Sequence, residues 1–492
     1  MLRAIISAVL LILAFPKTDL WLLAWIALIP LMKSLDGRRP LKAFGTAFLC
    51  GWIFFAGTLY WFIHVTILGA VILISYLAVY FGFWGLGYSY FRDKKPFVRV
   101  VFLSALWAVL EFIRAHLFTG FDWGSLGYSQ YKNLTVIQMA DVTGVLGVSF
   151  LIVWVNVVLK ECLGDFKKGI SREVIYFLLF TLGFLSLIVG YGVFRLKETY
   201  AGPSIKIAVV QGNINQEMKW EEMFWPEVMS KHIRLTRQAS LDNPDLIIWP
   251  ETAYPGILEE EDLSSSREDL FESLKGLVRN TRIPLLAGTV IQEKGSYFNS
   301  AVLLSPEAQT LQRYDKIHLV PFGEYVPLRF LFPFLSRIVP IADFTAGKEY
   351  TLFSLPSQNP PFSVLICFED TIARLSRQFV LAGSQLLVNI TNDGWFQDTK
   401  APFMHLQGAV FRAVENRRSL VRCANTGVSC FINPQGKILN QAEDKNHKMT
   451  YVSGCRTEEV PFNSKISFYT RFGDVWIYFC IGFIGWIILK KN

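Results

Sequence analysis

Three short stretches of this chain end apolar runs in groups that can do chemistry. Val364, Leu365 and Ile366 lead into Cys367, and Phe368, Glu369 and Asp370 follow. A run of this kind reads as a buried strand, and its polar end is where a nucleophile can be held at the lip of a sheet. Leu246, Ile247, Ile248 and Trp249 form a second apolar run, closed by Pro250, Glu251 and Thr252. Between them, the stretch from Tyr314 to Glu324 offers Lys316 beside a short apolar segment. A thiol with a reference pKa near ~8.5 is mostly protonated at neutral pH, so a carboxylate must take its proton or a cation must favour the thiolate. Glu251 suits the first role and Lys316 the second. The Lys316 ammonium can also stabilise a tetrahedral oxyanion together with the backbone N–H that follows the nucleophile. Taken alone, a cysteine at a strand end is better explained as a small buried hydrophobe. The other two stretches shift the reading to a Glu251, Lys316 and Cys367 triad.

At these residues a resemblance emerges. A strand ending in Glu251, a Tyr-Asp-Lys-x-His-Leu-Val-Pro-Phe-Gly-Glu stretch from Tyr314 to Glu324, a strand ending in Cys367, Phe368 and Glu369, and Asn389-Ile390-Thr391-Asn392-Asp393-Gly394-Trp395-Phe396 together resemble the nitrilase superfamily. With the membrane helices described below, the chain is similar to the apolipoprotein N-acyltransferase branch. The resemblance implies an α/β nitrilase-like domain, an αββα sandwich. It implies transfer of an acyl chain from a phospholipid to the N-terminal α-amine of a diacylglyceryl-cysteine apolipoprotein, through a thioester on the cysteine, with no cofactor. It further implies supporting roles for Glu324 and Glu369, which would orient Lys316 and balance the charge of the pocket, and for Trp220 beside the site. A turn or helix-cap carboxylate is the plainer reading of either acid, and core packing that of Trp220. The chain departs from the family at Phe368, where tyrosine is usual. The backbone N–H for the oxyanion remains there, without a phenol.

The rest of the chain must position these groups at a membrane. With 52% hydrophobic and only 18% charged residues in 492, the chain is too apolar for an ordinary soluble protein, and it divides into a membrane part and a soluble part. The formal net charge of +8 does not point to nucleic acid, because the basic residues cluster between apolar runs as topology signals. The seven cysteines, Cys50, Cys162, Cys367, Cys423, Cys430, Cys455 and Cys480, include no CxxC pair, and no His/Cys spacing suggests a metal. A disulfide among Cys423, Cys430 and Cys455 stays open.

Apolar runs at Ile5–Phe15, Leu20–Met32, Ala43–Ile63, Thr66–Phe91, Val98–Leu117, Val145–Leu159, Val174–Phe194 and Val475–Leu489 read as about eight spans, the first two as a retained helical hairpin. Lys33, Arg38, Arg39 and Lys42, then Arg92, Lys94, Lys95 and Arg99, then Lys160, Lys167, Lys168 and Arg172 all fall on one side, which puts both termini in the cytoplasm. The expected organisation is a transmembrane helical domain over residues 1–195 with about seven spans, a periplasmic catalytic domain over 196–472, and a C-terminal transmembrane helix over 473–492. The resemblance implies a multi-pass protein of a bacterial inner membrane whose partners are a phospholipid donor, a diacylated apolipoprotein acceptor and the membrane, with no nucleic acid and a monomeric chain expected. Glu111 and Arg114 lie three apart near the end of one span, where they can share a helix face and anchor the loop from Thr119 to Tyr128.

In the soluble part, strands are expected at Ile205–Val210, Leu246–Trp249, Leu285–Val290, Ser300–Leu304, Phe362–Ile366 and Leu386–Ile390, with helices at Met223–Arg237 and Arg267–Asn280. Helices alternating with buried strands make an α/β domain. The stretch from Tyr325 to Phe344 is unusually apolar and reads as a lid that dips into the outer leaflet, with domain core as the alternative. The same triad would also serve a membrane-tethered carbon-nitrogen hydrolase in which water attacks the thioester. A transporter or scaffold carrying an inactive domain ranks last.

Overall fold

The computed structural model describes residues 1–165, 172–200, 202–259, 266–325, 343–356 and 360–490. The proposed lid, residues 325–344, lies almost wholly outside the described residues. The chain forms two compact units, one of residues 1–198, 399–415 and 467–492, the other of residues 199–398 and 416–466.

The first unit is helical. Five helices among the described residues are long and apolar enough to cross a membrane: Pro40–His64, Ile67–Phe91, Pro96–His116, Ala140–Gly164 and Val174–Leu196. Leu2–Leu13, Trp21–Leu35 and Val475–Leu489 are shorter apolar helices. Pro40 and Pro96 open their helices at the first position, where a missing N–H costs nothing. The helix expected at Val145–Leu159 continues to Asp165, because the charges that shorten its apolar run are paired: Lys160 lies 3.2 Å from Asp36, and Glu161 meets Arg99; Gly144, at φ +66°, kinks it away from the turn that begins at Ala140. It is 78% buried, against 17% for Val174–Leu196, so the former is central to the unit and the latter peripheral. Glu111 and Arg114 both hold the loop that follows. Glu111 accepts from Leu126 N at 2.8 Å, and Arg114 donates to Ser125 Oγ at 2.7 Å.

The second unit is built on two mixed sheets. Its strands are β1 Ser204–Gln211, β2 Leu246–Ile248, β3 Ile257–Glu259, β4 Leu285–Glu293, β5 Ser296–Leu304, β6 Thr310–Asp315, β7 Leu352–Phe353, β8 Phe362–Ile366, β9 Leu386–Thr391, β10 Ser419–Ala424, β11 Cys430–Ile432, β12 Ile438–Gln441 and β13 Gly454–Pro461. One sheet runs β13-β1-β2-β4-β5-β6 with β3 beside β4, and the other runs β12-β11-β10-β9-β8-β7. Ile207, Val209, Ile248 and Leu286 of the first sheet share a core with Val364, Ile366, Val388, Ile390 and Val421 of the second. On the other face of the first sheet, Ala208, Val210, Ile247 and Trp249 pack with Met229 and Leu235 of helix Trp225–Ser240 and with Leu274 and Leu277 of helix Ser266–Thr281. The second unit has the expected nitrilase-like α/β architecture, and the first is the expected helical membrane unit.

Among the described residues, seven strands were not foreseen: β3, β7, β11 and β12, which are only two to four residues long, and the longer β6, β10 and β13. The sequences of these last three lack an apolar run: Thr310–Asp315 and Gly454–Pro461 are polar edge strands, and Ser419–Ala424 carries the charge of Arg422 while wholly buried. Because β1 and β2 pair in parallel, as do β8, β9 and β10, their carboxyl ends gather at one edge of each sheet. Glu251 follows β2, Cys367 follows β8, and Asn392 follows β9.

Candidate active site

Cys367 opens the short 3-10 helix Cys367–Thr371 directly after β8, with φ at +54°. Few non-glycine residues occupy this left-handed region, and a strained residue at a strand-to-helix turn is the geometry of a nucleophile elbow. Asn389 on β9 holds the turn by donating from Nδ2 to the carbonyls of Leu365 at 3.2 Å and Cys367 at 3.1 Å. Behind it, Arg422 of β10 donates to Asp370 at 2.7 Å, to Asn389 Oδ1 at 2.6 Å and to Asp393 at 3.1 Å, all of them buried.

Glu369 ties this turn to the segment that carries the lysine. Its carboxyl accepts from Ile366 N at 2.7 Å, Ile317 N at 2.8 Å, His318 N at 3.0 Å and the Tyr314 hydroxyl at 2.8 Å. Burial pushes the Glu369 carboxyl up to about 7, against the pull of the Ile366 and His318 N–H groups. Besides the Tyr314 hydroxyl, these contacts are with backbone N–H groups of the two segments and not with the Lys316 ammonium.

Lys316 is 1% exposed and lies between two carboxylates, 2.9 Å from Glu324 and 3.9 Å from Glu251. Burial alone would favour a neutral lysine; the charge of Glu324, then those of Cys367 and Glu251, overcome it and push the pKa up, so the side chain is a fixed cation. Glu251 is itself held at both oxygens, by Asn299 Nδ2 at 2.8 Å and by the backbone N–H of Asn392 at 2.8 Å. Asn299 Nδ2 also donates to Glu324 at 2.8 Å, and the Asn299 carbonyl accepts from Lys316 N at 2.8 Å. Burial pushes the Cys367 thiol well above its ordinary value, Glu251 adds to this, and Lys316 opposes it. The sulfur therefore rests protonated, and attack requires a base that removes the proton as the new bond forms.

The structure thus brings Glu251, Lys316 and Glu324 into contact, and the charges of Glu251 and Lys316 both act on Cys367. Phe368 is partly buried, its ring 6.1 Å from that of His318 and nearly parallel to it. Trp220 is 49% exposed, which removes the core reading, while its neighbour Lys219 is 3% exposed. Asn299 and Lys219 were not singled out from the sequence, and Asn392 appeared there only as one residue of the Asn389–Phe396 motif. The available signals were weak: an asparagine inside a strand, where that residue is disfavoured, and a lysine preceding Trp220. Among the described residues no group of His, Cys, Asp and Glu is arranged to hold a metal ion.

Comparison with known proteins adds a chemical context. Residues 7–158 match the apolipoprotein N-acyltransferase N-terminal domain, and residues 206–454 match carbon-nitrogen hydrolase. Over 98% of its length the chain is 40% identical to an apolipoprotein N-acyltransferase of Geobacter metallireducens, covering 93% of that protein. An apolipoprotein N-acyltransferase of Pasteurella multocida is 31% identical over 96% of the chain and 92% of its own length. An amidase from Nesterenkonia sp. of known structure aligns with 56% of this chain and 96% of its own, at 18% identity and a TM-score of 0.41.

Proposed function

This chain belongs to the apolipoprotein N-acyltransferase family, membrane acyltransferases of lipoprotein maturation, and from that premise we propose how its residues carry the reaction. Cys367 is the nucleophile, Glu251 the general base and acid, and Lys316 the oxyanion cation. Glu251 takes the thiol proton as Cys367 Sγ attacks the ester carbonyl carbon of a phospholipid. The oxyanion of the tetrahedral intermediate is met by the Lys316 ammonium and the Phe368 backbone N–H. When the carbon–oxygen bond breaks, the leaving lysophospholipid oxygen takes the proton from Glu251, and a Cys367 thioester remains. The α-amine of the acceptor's diacylglyceryl-cysteine then attacks that thioester and gives its proton to Glu251. The thiolate leaves, and Cys367 regains a proton from Glu251.

The observation that supports this assignment best is the arrangement around Lys316. With Glu324 at 2.9 Å as its ion-pair partner, the ammonium does not need Glu251 at 3.9 Å, which stays available as a base. Phe368 needs no phenol in this scheme, since only its N–H takes part. We place the soluble unit on the periplasmic side of an inner membrane, from the lysine and arginine pattern, and the working protein as a monomer.

The test uses purified protein with acyl-labelled phospholipid and a diacylated lipopeptide. N-acyl lipopeptide is expected, and without the lipopeptide a hydroxylamine-sensitive label should stay on Cys367. Cys367→Ala should carry no label. Release of free fatty acid alone would favour the hydrolase reading, and label retained by Cys367→Ala but lost with Cys423→Ala would overturn the choice of nucleophile.

A further inference from the structure

Lys219 is a buried cation to which the steps above assign no task. Its Nζ donates at 2.9 Å to the backbone carbonyl of Glu251 and at 2.9 Å to Thr252 Oγ1. These two residues form the turn that aims the Glu251 carboxylate, and Thr252 sits in the left-handed region at φ +46°. The turn is closed from the other side by Gly288, whose carbonyl accepts from Ala253 N at 2.9 Å and Tyr254 N at 3.1 Å. A Cβ at Gly288 would stand 2.4 Å from the Pro250 carbonyl and 2.7 Å from Glu251 Cα, so backbone meets backbone there without slack. Lys219 is fixed in turn through its own carbonyl, which accepts from Trp225 Nε1 at 3.2 Å.

A neutral donor could satisfy one carbonyl and one hydroxyl, yet the chain buries an ammonium. Burial lowers the Lys219 pKa to about 8, and the charges of Glu251 and then Cys367 draw it back up. Interaction energies are mutual, so a cationic Lys219 favours the charged forms of Glu251 and Cys367 in return. The other charged groups facing Cys367 are Lys316, Asp393 and Arg422. Lys219 also faces His232, which burial holds neutral with a pKa of about 4.

Resting on the assignment of Cys367 and Glu251 above, we propose that Lys219 is a positioning residue of the acyl-transfer site: its ammonium clamps the Glu251–Thr252 turn, and its charge favours the Cys367 thiolate that forms during attack.

The experiment compares full-length wild-type protein, Lys219→Met and Lys219→Arg in phosphatidylethanolamine-containing proteoliposomes. Three quantities are measured: thioester formation from acyl-labelled phospholipid, the pH profile of Cys367 alkylation by iodoacetamide, and the unfolding temperature. Lys219→Met should form the thioester at least about tenfold more slowly at unchanged donor KM, with alkylation near pH 8 slowed about threefold or more and its profile displaced to higher pH. Lys219→Arg should recover most of both. Wild-type rates and profile in Lys219→Met would overturn the proposal. So would a loss of activity with a lower unfolding temperature and an unmoved alkylation profile, which marks a merely structural lysine. If Lys219→Met does not fold, Lys219→Gln takes its place with the same deciding outcomes. A Cys367→Ala control that still becomes acylated would defeat the nucleophile assignment instead, and so separates the two failures.

Discussion

Buried Lys316 and partly buried Glu324 form an ion pair 2.9 Å long, eight residues apart in one segment. The pairing leaves the ammonium a further 1.0 Å from Glu251, the difference between 3.9 Å and 2.9 Å. In the proposed mechanism Glu324 is therefore the group that keeps the Lys316 cation and the Glu251 base separate.

Replacing Glu324 by Gln should let Lys316 move onto Glu251 and occupy the base. Thioester formation is expected to fall about 10²-fold, as for other ångström-scale displacements of catalytic groups. Glu324→Ala, which leaves the buried ammonium without its closest partner, should also cost about 3–5 kcal/mol of stability. Rates from a single-turnover acylation assay, beside a denaturant titration, check both. Wild-type acylation by Glu324→Gln would remove this role.

Asn299 spans both carboxylates with one amide nitrogen, at 2.8 Å to Glu251 and 2.8 Å to Glu324. Asn299→Ala should lower acylation about 10- to 100-fold, because Glu251 keeps only the Asn392 N–H on its carboxylate. Asn299→Asp should be worse, since it sets a third carboxylate against the other two. The comparison of the two variants in one assay is decisive: equal losses would mean that shape, and not charge, is what Asn299 supplies.

The charge of Glu251 adds to the rise in the Cys367 pKa, and in the proposed mechanism Glu251 is also its base, so removing that charge should have opposite effects on two reactions. The sign follows from the raised thiol: through neutral pH the wild-type sulfur is protonated, and iodoacetamide labelling climbs only in alkaline solution. Glu251→Gln should bring that climb to lower pH, making alkylation near pH 8 faster than wild type, while acyl transfer from phospholipid drops by about 10²–10⁴-fold for want of a base. Slower alkylation together with lost transfer would show that Glu251 also activates the thiol towards small reagents.

Topology can be read with reporters. Basic residues in alternate connections predict a cytoplasmic signal for a fusion at Asp36 or Lys94 and a periplasmic one at the exposed Lys294–Gly295 turn between β4 and β5. A cytoplasmic signal at Lys294 would reverse the orientation proposed for the soluble unit.

Local sequence determined a good deal of this protein. Apolar runs ending in Glu251 and Cys367 are strands β2 and β8, with the two residues at their carboxyl ends, because a buried strand needs apolar side chains on both faces and its first polar residue marks the rim. The long apolar helices were legible for the same reason. The Tyr-Asp-Lys motif carried Lys316 and Glu324 together, since eight residues of one segment suffice to form their pair.

Tertiary structure decided which groups surround those residues. Asn299 reaches Glu251 only because β4 and β5 pair antiparallel with Val290 opposite Asn299, which no property of residues 296–304 announces. Glu369 grips Ile317 and His318, 52 and 51 residues away, and Lys219 grips Glu251 from 32 residues away. The helix Ala401–Asn416 lies within the stretch that matches carbon-nitrogen hydrolase, yet residues 399–415 group with the membrane helices. Arg412 there pairs with Glu415 at 2.8 Å and donates to Tyr128 at 3.3 Å. Hydrophobic periodicity records whether a residue is buried and on which face, whereas the partner of a buried polar group is set by sheet register and by chain segments far apart in sequence.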